Sequence, residues 1–245
     1  MSHFVLVHGA WEGGWSWENV APILESNGHE VTTVQLPGSV GNVKPVDEVT
    51  LDGYVTEIAK AIKSSTERVV LVGHSLGGIS ISQVAERMPD RIDRLVYVAA
   101  FLLQDGTTAL EAMQSDAGGE MLPQLIFSED QSYAVAPETA WRRTAFNDVP
   151  SGVVNSILPK LAERQATQPF VTTGKLSEER FGSVRKYIVR TSLDKVFSTE
   201  FQDRMIENWA TEEVVTLEAG HFPALSIPQE LASVLLSIAP NKSCV

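Results

Sequence analysis

The run Gly73-His74-Ser75-Leu76-Gly77-Gly78 sets one serine between glycines immediately after the apolar stretch Val69-Val70-Leu71-Val72. A serine hydroxyl is a weak nucleophile that becomes effective when a base takes its proton. Glycines two residues before and two after Ser75 permit a turn too tight for side chains, with the hydroxyl presented at its tip. A Gly-rich helix start can instead hold a phosphate through its free N–H groups. No lysine accompanies these glycines, and neither a G-x-G-x-x-G nor a P-loop pattern occurs, so the nucleophile is favoured.

The base is found by elimination among five histidines. His3 opens an apolar run, His8 ends it, and His29 lies in a Gly-His turn. His74 adjoins the serine, so its ring should point away from the hydroxyl. His221, in Glu218-Ala219-Gly220-His221-Phe222-Pro223, directly follows the last β-type run and is the candidate base. A catalytic histidine needs a carboxylate to fix its tautomer and stabilise the imidazolium. Asp194, in Thr191-Ser192-Leu193-Asp194, is preferred; Asp105 is the rival, because acids after either of two neighbouring strands can reach one histidine. Attack on a carbonyl would also require two N–H donors for the oxyanion. The amide of Leu76, at the helix start, is one candidate, and that of Ala10, in the loop His8-Gly9-Ala10-Trp11-Glu12-Gly13-Gly14, is the other.

These residues must be carried by an alternation of strands and helices. Strands are expected at 3–8, 30–36, 69–73, 95–101, 187–190 and 214–220. Helices are expected at 17–27 with Ser16 as N-cap, 51–64, 76–87, 199–209 and 229–238. Six strands separated by helices imply an α/β fold with an open parallel sheet and right-handed crossovers. Ser75, Asp194 and His221 would then all lie at the carboxyl edge of that sheet, where open parallel sheets bind ligands. Residues 104–180 break the alternation. They show no clear strand, short helices such as 152–164, and frequent Gly and Pro, and they read as a mainly helical cap inserted between core segments 1–103 and 181–245.

Composition narrows the partners. A net charge of −12 with no basic run disfavours nucleic acid and anionic membranes. The single cysteine, Cys244, cannot form an intrachain disulfide or a thiolate metal cluster. No apolar run approaches the ~18 residues a membrane helix needs, and no secretory signal is evident. A cytoplasmic protein without metal or cofactor is expected.

The segments His3-to-Trp17, Val72-to-Gly78, Thr191-to-Phe197 and Glu218-to-Leu225 together resemble the α/β-hydrolase superfamily. The likeness is greatest to the small plant methylesterases and hydroxynitrile lyases and their bacterial esterase relatives. It runs from residue 3 to about 239 and is weakest across 104–180. The resemblance implies a lidded sheet, no cofactor, a Ser75–His221–Asp194 site for small carboxylic esters, and oxyanion donors at Ala10 and Leu76. Cyanohydrin-cleaving members carry a lysine after the catalytic histidine and a threonine at the Ala10 position. Phe222 and Ala10 stand there in this chain, which counts against lyase activity. Lactone or C–C bond hydrolysis by the same triad, or a small-molecule receptor on this fold, remain alternatives. Trp11, Trp15, Phe101, Trp141, Phe146 and Phe222 are candidate apolar contacts for substrate, each equally able to be plain packing. A small-molecule ester is the expected partner, and a homodimer is possible.

Overall fold

The computed structural model describes residues 1–239, so Cys244 lies outside the described residues. Six parallel strands form the main sheet: β1 His3–Val7, β2 Glu30–Thr33, β3 Val69–His74, β4 Ile92–Val98, β8 Arg185–Thr191 and β9 Glu213–Leu217, in the order β2-β1-β3-β4-β8-β9. Side chains alternate faces along a strand, and here each face is covered. Phe4 and Leu6 of β1, Val70 and Val72 of β3, and Val96 and Val98 of β4 belong to one buried cluster. Their neighbours Val5, Val7, Val69, Leu71, Leu95 and Tyr97 belong to the cluster on the opposite face. Hence β3 reads as a continuous apolar run. The edge strands β2 and β9 are more exposed and carry polar residues, which discourages pairing with another sheet.

Several local expectations are corrected. The segment expected as a helix over 17–27 is a 3-10 turn, Gly14–Trp17, followed by a short helix, Ala21–Ser26. Ser16 does not cap it: its hydroxyl donates to Glu12 at 2.7 Å. Strand β4 ends at Val98 rather than at 101, because Ala99 turns into the left-handed region at φ 42°. The helix expected over 152–164 spans only Ser151–Ile157 and gives way to a 3-10 turn containing Pro159, which cannot continue the α-helical ladder.

The 104–180 stretch does contain strands. A three-stranded antiparallel sheet joins β5 Ile126–Phe127, β6 Tyr133–Val135 and β7 Gln165–Ala166. Strands of two or three residues are too short to leave an alternating pattern. The ends of the stretch are tied together, since Leu176 N–H donates to Asp105 at 2.7 Å. Asp105 is thereby occupied as a loop clamp and is not a partner of His221.

Candidate active site

Parallel strands end at one edge, and four loops meet there. The loop after β3 carries Ser75. Its φ of 50° is a left-handed conformation that costs a non-glycine residue roughly 1–3 kcal/mol. The turn is held by Ser75 N–H to Val98 O at 3.3 Å, Phe101 N–H to Ser75 O at 3.1 Å and Gly78 N–H to Ser75 O at 3.0 Å. The flanking glycines are required by close approach. A Cβ on Gly77 would lie 2.8 Å from His8 O and 3.0 Å from Val7 O, and one on Gly73 would lie 2.9 Å from the Gly77 backbone.

The loops after β8 and β9 bring Asp194 and His221 to the serine. His221 Nε2 is 2.9 Å from Ser75 Oγ, and His221 Nδ1 is 2.8 Å from Asp194 Oδ2. All three residues are buried. Asp194 is fixed by more than the histidine: Oδ1 accepts Val196 N–H at 2.8 Å and Phe197 N–H at 3.0 Å, and Oδ2 also accepts the Thr191 hydroxyl at 3.0 Å. With Asp194 acting only as acceptor, Nδ1 of His221 carries the ring proton and Nε2 is left to accept from the Ser75 hydroxyl. Two residues of the 104–180 stretch hold both loops. Asp148 accepts Gly220 N–H at 2.6 Å, and Asn147 donates to Leu193 O at 2.9 Å.

The loop after β1 carries Ala10 and Trp11. Trp11 has a φ of 61° and is clamped from 104–180, its N–H donating to Gln165 Oε1 and its carbonyl accepting Ala162 N–H, both at 2.8 Å. Among the described residues, neither Ala10 N–H nor Leu76 N–H has a protein acceptor. Both amides are therefore free at the start of the site.

One feature of the site is not evident from the sequence. His74 does turn away from the Ser75 hydroxyl, but not into inert packing. Its Nδ1 lies 2.9 Å from Glu12 Oε1 and its Nε2 2.8 Å from the carbonyl oxygen of His221. Burial alone would lower the His74 pKa, yet the charge and hydrogen bond of Glu12, aided by the His221 carbonyl, outweigh it and the value is raised. Burial would likewise raise Glu12, and the charge and hydrogen bond of His74 reverse this, holding the carboxyl below its ordinary value. A buried ion pair thus ties the β1 loop, the serine turn and the histidine loop together. The available signal was one acidic residue in an otherwise apolar, Gly-rich loop. The remaining histidines are spectators: His3 bonds Thr32 at 2.8 Å, His8 accepts Leu36 N–H at 3.1 Å, and His29 accepts Ser2 N–H at 3.3 Å.

Above Ser75 and His221 lies a cavity of about 410 Å³, with Trp11, Phe101, Trp141 and Phe222 among its walls. Phe146 is not among them. It stacks on Trp141 with centroids 5.4 Å apart and backs Phe222 at 4.9 Å, so it supports the wall instead of forming it. Trp15 also lies outside, beneath Lys160 at 6.0 Å. Met113, Met121 and Phe170 add to a mostly apolar lining, to which no lysine or arginine among the described residues contributes.

Residues 4–234 match the alpha/beta hydrolase family. The chain belongs to that family. This hydrolase is similar to an alpha-hydroxynitrile lyase of Arabidopsis thaliana, 34% identical over 255 residues that cover 98% of this chain and 97% of the relative. It is also similar to methylesterase 7 of the same plant, 32% identical over 252 residues covering 96% and 95%. Polyneuridine aldehyde esterase of Rauvolfia serpentina is 31% identical over 256 residues, covering 98% and 96%. A crystal structure of polyneuridine aldehyde esterase superposes with a TM-score of 0.87 over 98% of this chain and 100% of that one, at 29% identity. Among the described residues no helix is long and apolar enough to cross a membrane.

Proposed function

We propose that this hydrolase cleaves carboxylic esters through a covalent acyl-enzyme on Ser75. The observation that carries the proposal is the unbroken relay from Ser75 Oγ to His221 Nε2 at 2.9 Å and from His221 Nδ1 to Asp194 Oδ2 at 2.8 Å. The ester enters the cavity above Ser75. Ser75 Oγ attacks the carbonyl carbon as its proton passes to His221 Nε2, and Asp194 stabilises the resulting imidazolium. The carbonyl oxygen becomes an oxyanion that accepts the free N–H groups of Ala10 and Leu76. The tetrahedral species collapses, the C–O bond breaks, and the alcohol leaves with the proton from His221. Water then attacks the acyl-serine by the same route, releasing the acid and restoring Ser75. The methylesterase and polyneuridine aldehyde esterase relatives support this chemistry.

Cyanohydrin cleavage is the second candidate, because an alpha-hydroxynitrile lyase is among the similar proteins. It fits this site less well. Cleavage releases cyanide, an anion, whereas Phe222 follows the histidine and no lysine or arginine among the described residues lines the cavity. The test is turnover of p-nitrophenyl esters, from acetate to long acyl chains plus an aryl ester, by wild type and Ser75→Ala, alongside cyanide release from mandelonitrile. Ester turnover that falls by several orders of magnitude in Ser75→Ala is expected. Near-full esterase activity in Ser75→Ala would refute the mechanism, and cyanide release without ester turnover would favour the lyase.

A further inference from the structure

A second cavity, of about 330 Å³, lies within the 104–180 stretch beside the first. The two share Trp11, Met113, Leu125 and Phe170, which form a partition between them. The far wall includes Leu110 from the helix Ala109–Gln114 and Ala134 from β6. Its rim reaches the surface at Phe127 and Val171, which are 40% and 50% exposed, large apolar side chains that a purely structural wall would bury.

The chemistry of this second cavity is one-sided. Beyond the partition, where the Trp11 indole Nε1–H is buried without a partner among the described residues, the polar side chains of the lining are Gln165 and Thr167, and both have hydrogen bonds committed elsewhere. Gln165 Oε1 accepts Trp11 N–H, while its Nε2 donates to the Tyr54 hydroxyl and the Ala166 carbonyl. The Thr167 hydroxyl donates to Gln131 O at 2.6 Å. A ligand group placed on the far side, past Trp11, meets mainly hydrocarbon and aromatic surface. A hydroxyl or charge would lose its hydration without replacement. An alkyl or aryl group would lose nothing and would be taken out of water.

Resting on the ester-hydrolase proposal, we infer that the substrate is an ester with a long apolar arm, whose far end passes the Trp11–Met113–Leu125–Phe170 partition and occupies this second cavity. Methionine and leucine in the partition can change rotamer without breaking a hydrogen bond, which suits a neck that an alkyl chain threads. The reacting carbonyl stays at Ser75, so the catalytic cavity sets reactivity and the distal one sets chain length and polarity.

The experiment measures kcat/KM for two ester series, one lengthening the acyl chain of p-nitrophenyl esters and one lengthening the alcohol of acetate esters. A terminally hydroxylated analogue of the longest member completes each series. In one series the wild type should gain about fourfold per methylene once the chain passes the partition. The hydroxylated analogue should lose tenfold or more. Leu110→Trp, which fills the distal cavity, should keep acetate turnover and lose the gain on long chains. Ala134→Met narrows the same cavity from β6 and gives the same readout if the tryptophan variant does not fold. A wild type that favours short esters in both series would overturn the inference, as would variants that affect short and long esters alike. Absence of Ser75-dependent turnover even on the acetate would refute the hydrolase mechanism itself, a different result from either.

Discussion

Replacing Glu12 by glutamine preserves side-chain shape and removes the charge paired with the buried His74 ring. Both partners of that ring, Glu12 Oε1 at 2.9 Å and the His221 carbonyl at 2.8 Å, are acceptors, so the ring needs two N–H groups. A neutral imidazole has one. Glutamine can turn its amide N–H toward Nδ1 of a neutral His74, whose Nε2–H still serves the His221 carbonyl, so Glu12→Gln replaces a charged pair with a neutral hydrogen bond. Replacing a charge-assisted buried hydrogen bond by a neutral one costs about 1–2 kcal/mol. At roughly 2–4 °C per kcal/mol for a chain of this size, Tm should fall by about 2–8 °C. Any shift of the His74 ring is passed to the His221 loop through the 2.8 Å bond to its carbonyl, and a misplacement of about 1 Å at the base would lower kcat by up to about 10²-fold.

The pH dependence has a definite sign. Glu12 is held below its ordinary value of 4.5, so its contribution is complete above that value and is lost as pH falls through the lower, folded one. His74 is raised above 6.5, so its contribution is complete below 6.5 and is lost as pH rises through the higher, folded value. Both conditions hold between 4.5 and 6.5. The gap in Tm between wild type and Glu12→Gln should be widest in that window and narrow at alkaline pH. Calorimetric scans from pH 5 to 9, with kcat taken alongside, measure it. Equal Tm and equal kcat at every pH would refute the assignment of a charged pair that positions His221.

Two further outcomes follow from the same geometry. Asp194→Asn must turn its amide group toward either two backbone N–H donors or the Thr191 and His221 side. The second choice forces His221 into the tautomer that cannot accept the Ser75 proton, so kcat should drop by about 10⁴ with little change in KM. A loss of less than tenfold would exclude Asp194 as the orienting acid. Lys186 is buried, with its ammonium donating to the carbonyls of Phe181, Gly182 and Val184, and burial pushes its pKa down to about 8 from 10.5. The unfolded chain then holds the extra proton between those values, so this residue's contribution to stability rises as pH increases from 8 to 10.5. Lys186→Met should abolish that slope in denaturant titrations, and an unchanged slope would refute it.

The sheet and its site were largely legible because parallel, doubly covered strands write themselves as apolar runs, and functional loops follow such runs at one edge. Ser75, Asp194 and His221 each come directly after one. What escaped was set by contacts distant in sequence. Glu12 and His74 lie 62 positions apart, and nothing local distinguishes a buried acid from a turn-forming one. Phe146 and Trp141 are equally aromatic and close in the chain, and only packing puts one on the cavity wall and the other behind it. The strands β5 to β7 are too brief for periodicity, and Ser16 resembles a cap because Ser at a helix start is the usual signal, whereas its hydroxyl serves Glu12.

The central claim is that Ser75 becomes acylated. Rapid mixing with p-nitrophenyl acetate, followed by acid quench and peptide mass analysis, tests it most directly. The account predicts a burst of one p-nitrophenol per chain together with an acetyl group on the peptide containing Ser75, and neither in Ser75→Ala. Steady ester turnover with no burst and no adduct on Ser75, in an enzyme slowed by low temperature, would contradict it.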